Sequence, residues 1–312
     1  MVMGIRELNN YLEDFFRNPI RLEKITTNRT NIVHRCFVGK KKYIIKQYLP
    51  YVANLKSVKM HPKRAYFEYK ALQLFEKVLG KNHVQKIIHF DQKKYLLILT
   101  DEKKDLFFGE EENIEKIKPI HYKKIGELLG KLHGKTINGK NLLNHSPKDY
   151  TQYDLLRLFG AKKLYEKEVE QFKKNLKKIP YCVYWADCSP KNIFINKDTV
   201  VFIDFEFSYF HAPCLDVGFF LAHILLFMIK HKKFEKKVKN GINIFIKSYS
   251  QTILKFGYPS KELDLLLKLA NIYSGFILIH KSFSIARYQQ YENLKKEIKK
   301  FADDLINGQL IL

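Results

Sequence analysis

Apolar and polar positions alternate through much of the first hundred residues, and a single stretch of helical period interrupts them. RLEKITT, NIVHRCFVG and KKKYIIKQYL read as strands, and Gly39 followed by Lys40 predicts a tight turn between the second and third. Residues Pro62 to Leu79 carry apolar side chains at helical spacing, with the proline near the start, where its missing N–H costs little. VQKIIHF and KKYLLILT then predict two short strands joined at Asp91 and Gln92. The opening MVMGIRELNNYLEDFF reads as a short amphipathic helix.

The pattern changes after Asp101. Tyr122 to Gly134 is helical and expected to end at its glycine, and Tyr153 to Ile179 is helical and Lys-rich up to Pro180. A strand-rich island follows, YCVYWADCSPKNIFINKDTVVFIDFEFSYF. Beyond Leu215 the period is helical to about Ile306. The expected class is α+β. Residues 1–101 form a small lobe of antiparallel strands and one helix, and residues 102–312 a larger, mainly helical lobe.

Composition narrows the options. An apolar share of 46% over 312 residues is ample for a core, and 28% charged residues argue against disorder. The formal net charge of +24 points either to a polyanion partner or to solvated lysines on every helix. The lysines lie in many short runs and not in one tail, which favours the second. Cys36, Cys182, Cys188 and Cys214 form no C-x-x-C pair, so a zinc knuckle is not expected. The polar start carries no secretory pattern, and a reduced, cytoplasmic protein is expected. Phe219 to Ile229 contains His223 and is too short to span a bilayer, so no membrane partner is expected.

The island carries the candidate chemistry. In W-A-D-C-S-P-K-N-I, Asn192 follows Asp187 by five positions and leads into a strand. A turn over Asn196–Asp198 opens a second strand that ends in I-D-F-E at Asp204. Phosphoryl transfer needs a carboxylate to orient an acceptor hydroxyl and take its proton, and oxygen donors to hold Mg²⁺ against ATP phosphates. Asp187 fits the first role; Asn192 and Asp204 fit the second. Taken singly, each is an ordinary turn residue. The spacing, the hairpin and the D-x-E together are harder to explain that way.

These residues resemble the motifs of the aminoglycoside phosphotransferase, choline kinase and methylthioribose kinase superfamily, H-G-D-x-x-x-x-N followed by hydrophobic-D-x-E. Pro213, Asp216 and Gly218 in HAPCLDVGFF are similar to that group as well. The resemblance implies a bilobal kinase-like scaffold, ATP and Mg²⁺ as cofactors, and a structural role for Asp216. Trp185 and Ala186 depart from the usual His and Gly; Trp185 is expected to pack where the His would brace the loop. D-F-E in place of the D-F-G of protein kinases implies small-molecule acceptors.

The same resemblance pairs Lys46, on YIIKQY, with Glu68, on RAYFEYKAL, at the α and β phosphates. The phosphate loop is expected between the first two strands, Thr26 to Asn31. It has no glycine there, and Asn28 and Asn31 are the candidates to shape it and offer amides. The adenine hinge is expected over Leu99 to Lys103. KQYLPYV, Lys46 to Val52, is similar to a segment of methylthioribose kinases, but the late arginine pair of that group is reduced here to Arg287.

Lys-rich runs in the second lobe disfavour a polycationic acceptor. A sugar or nucleoside-like hydroxyl compound is preferred, the methylthioribose type included. The alternative is a nucleic-acid-associated or regulatory protein with weak or protein-directed activity; steep salt dependence of RNA binding separates the two.

Overall fold

Gly39 has a φ of +55°, and this left-handed turn lets strand β2 (Ile32–Val38) fold straight back on β3 (Lys41–Gln47). The computed structural model describes residues 3–26, 30–53, 55–101, 106–109, 113, 115–139, 143, 158, 161–283 and 291–309. They divide into two compact units. One takes residues 1–103 and 204–207; the other takes 104–203 and 208–312. The sequence suggests a break after residue 101. The packing also places the four residues 204–207, far along the chain, in the first unit.

In the first unit β1 (Arg21–Ile25), β2, β3, β6 (Ile87–Asp91) and β7 (Leu96–Thr100) make one antiparallel sheet in the order β1-β2-β3-β7-β6. Helix α1 (Ile5–Phe16) puts Leu8 and Leu12 against Cys36, Ile45, Leu96 and Ile98, all buried, so one sheet face is sealed. Helix α2 (Arg64–Leu79) carries Ala65, Phe67, Ala71, Leu72 and Phe75 inward at helical spacing. A two-stranded ribbon, β4 (Tyr51–Val52) with β5 (Leu55–Lys59), precedes it; alternation alone does not predict so short a first strand.

In the second unit, helix α3 (Pro119–Lys135) runs past the glycine expected to end it. Gly126, Gly130 and Gly134 instead lie on the face that meets α6 (Glu235–Lys255). A Cβ on Gly126 would sit 2.5 Å from the carbonyl oxygen of Phe245, and one on Gly130 2.8 Å from that of Tyr249. The glycines are there for close approach, not for capping. The single helix expected over Tyr153–Ile179 is interrupted: Ala161 and Lys162 are helical, Lys163 and Leu164 make a turn closed by the Tyr165 N–H, which donates to Ala161 O at 2.8 Å, and α4 runs over Glu166–Leu176.

Helices α5 (Cys214–Lys230), α7 (Leu263–Phe283) and α8 (Lys295–Ile306) complete the helical core. Among the described residues the run Ser260–Ser282 is long and apolar enough to cross a membrane. It is also 61% buried within the structure, as a core helix is. The pair Cys214–Lys230 and Lys232–Lys255 passes the same test only as a span bent by 117°. Short strands, β8 (Leu106–Phe107), β10 (Ile193–Asn196) and β11 (Thr199–Phe202), form one small sheet. β9 (Cys182–Tyr184) pairs with β12 (Tyr209–His211) in another.

Candidate active site

In the second unit the site is built on the turn between β9 and β10. Pro190 starts a single 3-10 turn, Pro190–Asn192, and the Asn192 N–H donates to Ser189 O at 2.9 Å. That turn brings Asn192 back under Asp187. Its amide nitrogen donates to the Asp187 carbonyl at 3.0 Å and to Oδ2 at 2.9 Å. Both side chains are buried, Asp187 at 5% exposure and Asn192 at 4%, so the carboxylate is held in one orientation. The Asn192 nitrogen is thus engaged twice, and its side-chain oxygen, an acceptor, is the atom suited to a cation. Lys191, largely exposed, lies 3.2 Å from Asp187 Oδ2. Gly109 backs the turn, where a Cβ would lie 2.6 Å from the Lys191 nitrogen.

The turn is anchored from beneath by Asp216, fully buried in the first turn of α5. It accepts from the backbone N–H of Trp185 at 2.6 Å and of Ala186 at 2.9 Å, and His133 Nε2 lies 3.2 Å away. Tyr249 Oη meets the other ring nitrogen of His133 at 2.9 Å. Burial pushes the Asp216 carboxyl above its usual range, although His133 and the two N–H donors pull it down. Trp185 is fully buried and stacks on Phe202 at 4.5 Å between centroids. Ala186 has a φ of +73°, which explains why a glycine is usual at its position in the motif.

In the first unit Lys46, on β3, points to the helix α2 side. Its ammonium donates to Glu68 Oε1 and Oε2 at 2.8 and 2.7 Å and to Asp204 Oδ1 at 2.7 Å. Tyr48 donates to the same Glu68 carboxylate. Burial opposes the Lys46 charge, but Asp204 and Glu68 outweigh it and raise its pKa above the ordinary lysine value. Burial pushes Glu68 up to about 7; Lys46 pulls it down, while Asp204 and Glu206 add to the rise. Asp204 has a φ of +66° and the most exposed carboxylate of the pair around Lys46, 16% against none for Glu68. Phe205, packed against Phe75 with ring centroids 4.3 Å apart and planes tilted by 48°, fixes the segment in the unit.

Asn31 is 2% exposed and already engaged: its amide donates to Glu206 Oε2 at 3.0 Å and accepts from Arg64 at 2.8 Å. Asn28 and Arg287, and the hinge positions Glu102 and Lys103, lie outside the described residues. The structure therefore brings Lys46, Glu68 and Asp204 together in one unit and Asp187 with Asn192 in the other.

A family model for the phosphotransferase enzyme family, APH, matches residues 47–228. The chain belongs to this family. It is a phosphotransferase by that membership, and its fold is shared by solved relatives of low identity. A choline/ethanolamine kinase family protein from Mesorhizobium loti matches at a TM-score of 0.56 and 12% identity, over 92% of this chain and 88% of that one. The ethanolamine kinase of Plasmodium vivax matches at 0.56 and 15%, over 98% and 88%. An amicoumacin kinase in complex with AMP-PNP and Ca²⁺ matches at 0.59 and 13%, over 93% and 89%. No curated protein matches the sequence.

The APH-family site includes residues that the linear pattern does not disclose. His133, 83 positions from Asp216, and Arg64, 142 positions from Glu206, are joined to their partners only by the fold. The L-H-G of α3 and the first turn of α2 are the only signals, and neither is distinctive alone. Removing the Asp216 anchor tests the brace. Asp216→Ala leaves two buried N–H groups and His133 without their acceptor and is expected to cost about 3–5 kcal/mol. Asp216→Asn, which keeps one acceptor oxygen, is expected to cost roughly half of that. Urea denaturation of both variants reads the difference; equal stability to wild type would show that the anchor is dispensable.

Proposed function

We propose that this phosphotransferase moves the γ-phosphoryl group of ATP to a hydroxyl of a small molecule, in a Mg²⁺-dependent reaction. The observation that carries the reading is the grip on Lys46. A buried ammonium held by two carboxylates, one of them on D-F-E, is the arrangement that presents a cation to nucleotide phosphates and a carboxylate to a metal. The solved amicoumacin kinase, complexed with AMP-PNP and Ca²⁺, supports a nucleotide and a divalent cation on this scaffold.

The donor set fits Mg²⁺. Asp204 and Asn192 are hard oxygen donors, and among the described residues no group of three or more His, Cys, Asp or Glu is placed to hold a metal alone. Mg²⁺ takes one or two protein oxygens and completes its shell with water and phosphate. When bound, it supplies charge neutralisation at the phosphates. Lys46, oriented by Glu68, lies against the α and β phosphates. Asp187, its carboxylate fixed by Asn192, accepts a hydrogen bond from the acceptor hydroxyl and takes its proton as that oxygen bonds to the γ-phosphorus and the bond from the γ-phosphorus to the β–γ bridging oxygen breaks, releasing ADP. Asn31, at the end of the expected phosphate loop, is held by Glu206 and Arg64.

A sugar or nucleoside-like acceptor, the methylthioribose type included, is the preferred substrate class, because the second unit is rich in lysine and disfavours a polycation. A panel of sugars, nucleosides, amino alcohols and antibiotics, assayed by coupled ADP release with Mg²⁺, tests this. Turnover is expected with at least one neutral or anionic hydroxyl compound. Turnover confined to polycationic antibiotics would refute the substrate class; no turnover with any member, together with salt-sensitive RNA binding, would favour the nucleic-acid reading.

A further inference from the structure

Helix α6 is built differently on its two sides. Val238, Ile242, Phe245, Tyr249 and Ile253 recur at helical spacing and are buried. The opposite side, Lys236, Lys239, Asn240, Asn243, Lys247 and Gln251, is exposed. No Asp or Glu occurs between residues 236 and 255, although five lysines do. The other lysine-rich helices carry their own acids: on α4 Lys173 pairs with Glu170 at 2.9 Å, and on α8 Lys299 pairs with Asp303 at 2.8 Å. The placement also runs against the helix dipole, which disfavours cations near an N-terminus; Lys236, Lys237 and Lys239 nevertheless crowd the first turns of α6, behind Lys232 and Lys233. Among the described residues two acids offset them, Glu235, 2.6 Å from Lys239, and Glu297, which meets Lys232, while Lys233, Lys236 and Lys247 make no ion pair. The start of this face is concave: Lys232, Lys233, Lys236, Lys239, Asn240 and Asn243, with Glu235, line an open groove of about 610 Å³.

We propose that the exposed face of α6 is a docking surface for a nucleic-acid strand, held through its phosphates without reading of its sequence. This surface is independent of the phosphotransfer reading, and either can fail without the other. Cations gathered on one face repel each other and lower stability until a polyanion neutralises them. A local rule broken with no structural gain marks a place where function sets the residues. The amides of Asn240, Asn243 and Gln251 stand between the lysines, as donors for phosphate and sugar oxygens. At 1.5 Å per residue the face runs for about 30 Å, the length of several nucleotides. A bilayer fits it less well. The apolar side of α6 is turned into the unit, and the one large apolar side chain exposed on this helix is Leu254, near its far end.

The test is fluorescence anisotropy of the intact chain with labelled single strands of about 20 nucleotides, RNA and DNA of mixed sequence, across a salt series. Micromolar binding is expected at low salt, with RNA and DNA within about threefold of each other. The logarithm of the binding constant is expected to fall against that of the salt concentration with a slope of about −3.5, from about 0.7 for each of Lys232, Lys233, Lys236, Lys239 and Lys247. A triple variant, Lys233→Gln with Lys236→Gln and Lys247→Gln, breaks no ion pair among the described residues. It is expected to lower affinity about tenfold or more and to make the slope shallower by about 2. ADP release is expected to be unchanged in it, because none of the three lysines belongs to the active site. The control removes the same charge elsewhere, from exposed residues of α4 and just after it: Lys167→Gln, Lys174→Gln and Lys177→Gln. It is expected to change affinity by less than about threefold. Vesicles of phosphatidylserine and phosphatidylcholine are the second probe. Binding to vesicles without binding to either strand overturns the proposal. So does an equal loss of affinity in the two triple variants, or an affinity that ignores salt.

Discussion

Asp187→Asn is expected to lower kcat by about 10³-fold or more while the ATP Kd changes by less than about threefold. The substitution is nearly isosteric, and an asparagine oxygen still accepts the bond from Asn192 Nδ2 that holds the wild-type carboxylate at 2.9 Å. The backbone bonds of the turn, from Asn192 N to Ser189 O and from Ser189 N to Asp187 O, do not involve the side chain and remain. The ion pair with exposed Lys191 contributes little to stability. What the variant lacks is a group able to take a proton from the acceptor hydroxyl. Steady-state ADP release gives kcat, and calorimetric titration with a non-hydrolysable ATP analogue gives affinity. A variant that keeps a tenth or more of wild-type kcat would remove Asp187 from the base role.

Asp204→Ala is expected to abolish Mg²⁺-dependent ATP turnover, with at least a 10³-fold fall in kcat and a Mg²⁺ activation constant raised about 100-fold. The alanine also sits at a φ of +66°, where Asp is tolerated and Ala is strained. Asp204→Asn therefore serves as the partner variant: it fits that backbone, leaves an oxygen for Lys46 and removes only the charge. Both variants are expected to show the metal defect. If Asp204→Ala alone fails and Asp204→Asn behaves as wild type across a Mg²⁺ titration, backbone strain and not metal binding explains the loss.

Local features of the chain foretell the parts of this molecule that close over short distances. The β2–β3 hairpin is readable because Gly39 sits between two alternating runs, and the D-x-x-x-x-N turn because Pro190 forces the chain round within four residues. Lys46 and Glu68 are also legible, as a strand cation followed by a helix acid 22 positions on, and they lie in hydrogen-bond contact. The Arg64–Glu206 pair and the His133–Asp216 pair are not legible, since no period links residues so far apart and each is a common residue in a common context. Glu206 stands in the sequence only as the last letter of D-x-E; its partners on the loop and on α2 exist only once 204–207 packs with the first unit. Gly134 misleads for a related reason: a glycine near a helix end reads as a cap, but here its missing Cβ admits Phe256, whose Cβ would lie 2.6 Å away.

A crystal structure of the wild-type chain with Mg²⁺ and AMP-PNP tests most directly whether these side chains serve one nucleotide. The expected result is a metal bound by oxygens of Asp204 and Asn192 at about 2.0–2.1 Å, Lys46 against the α and β phosphates, and Asp187 facing the γ-phosphate. A nucleotide bound elsewhere, or a metal whose protein ligands exclude both Asp204 and Asn192, would contradict it.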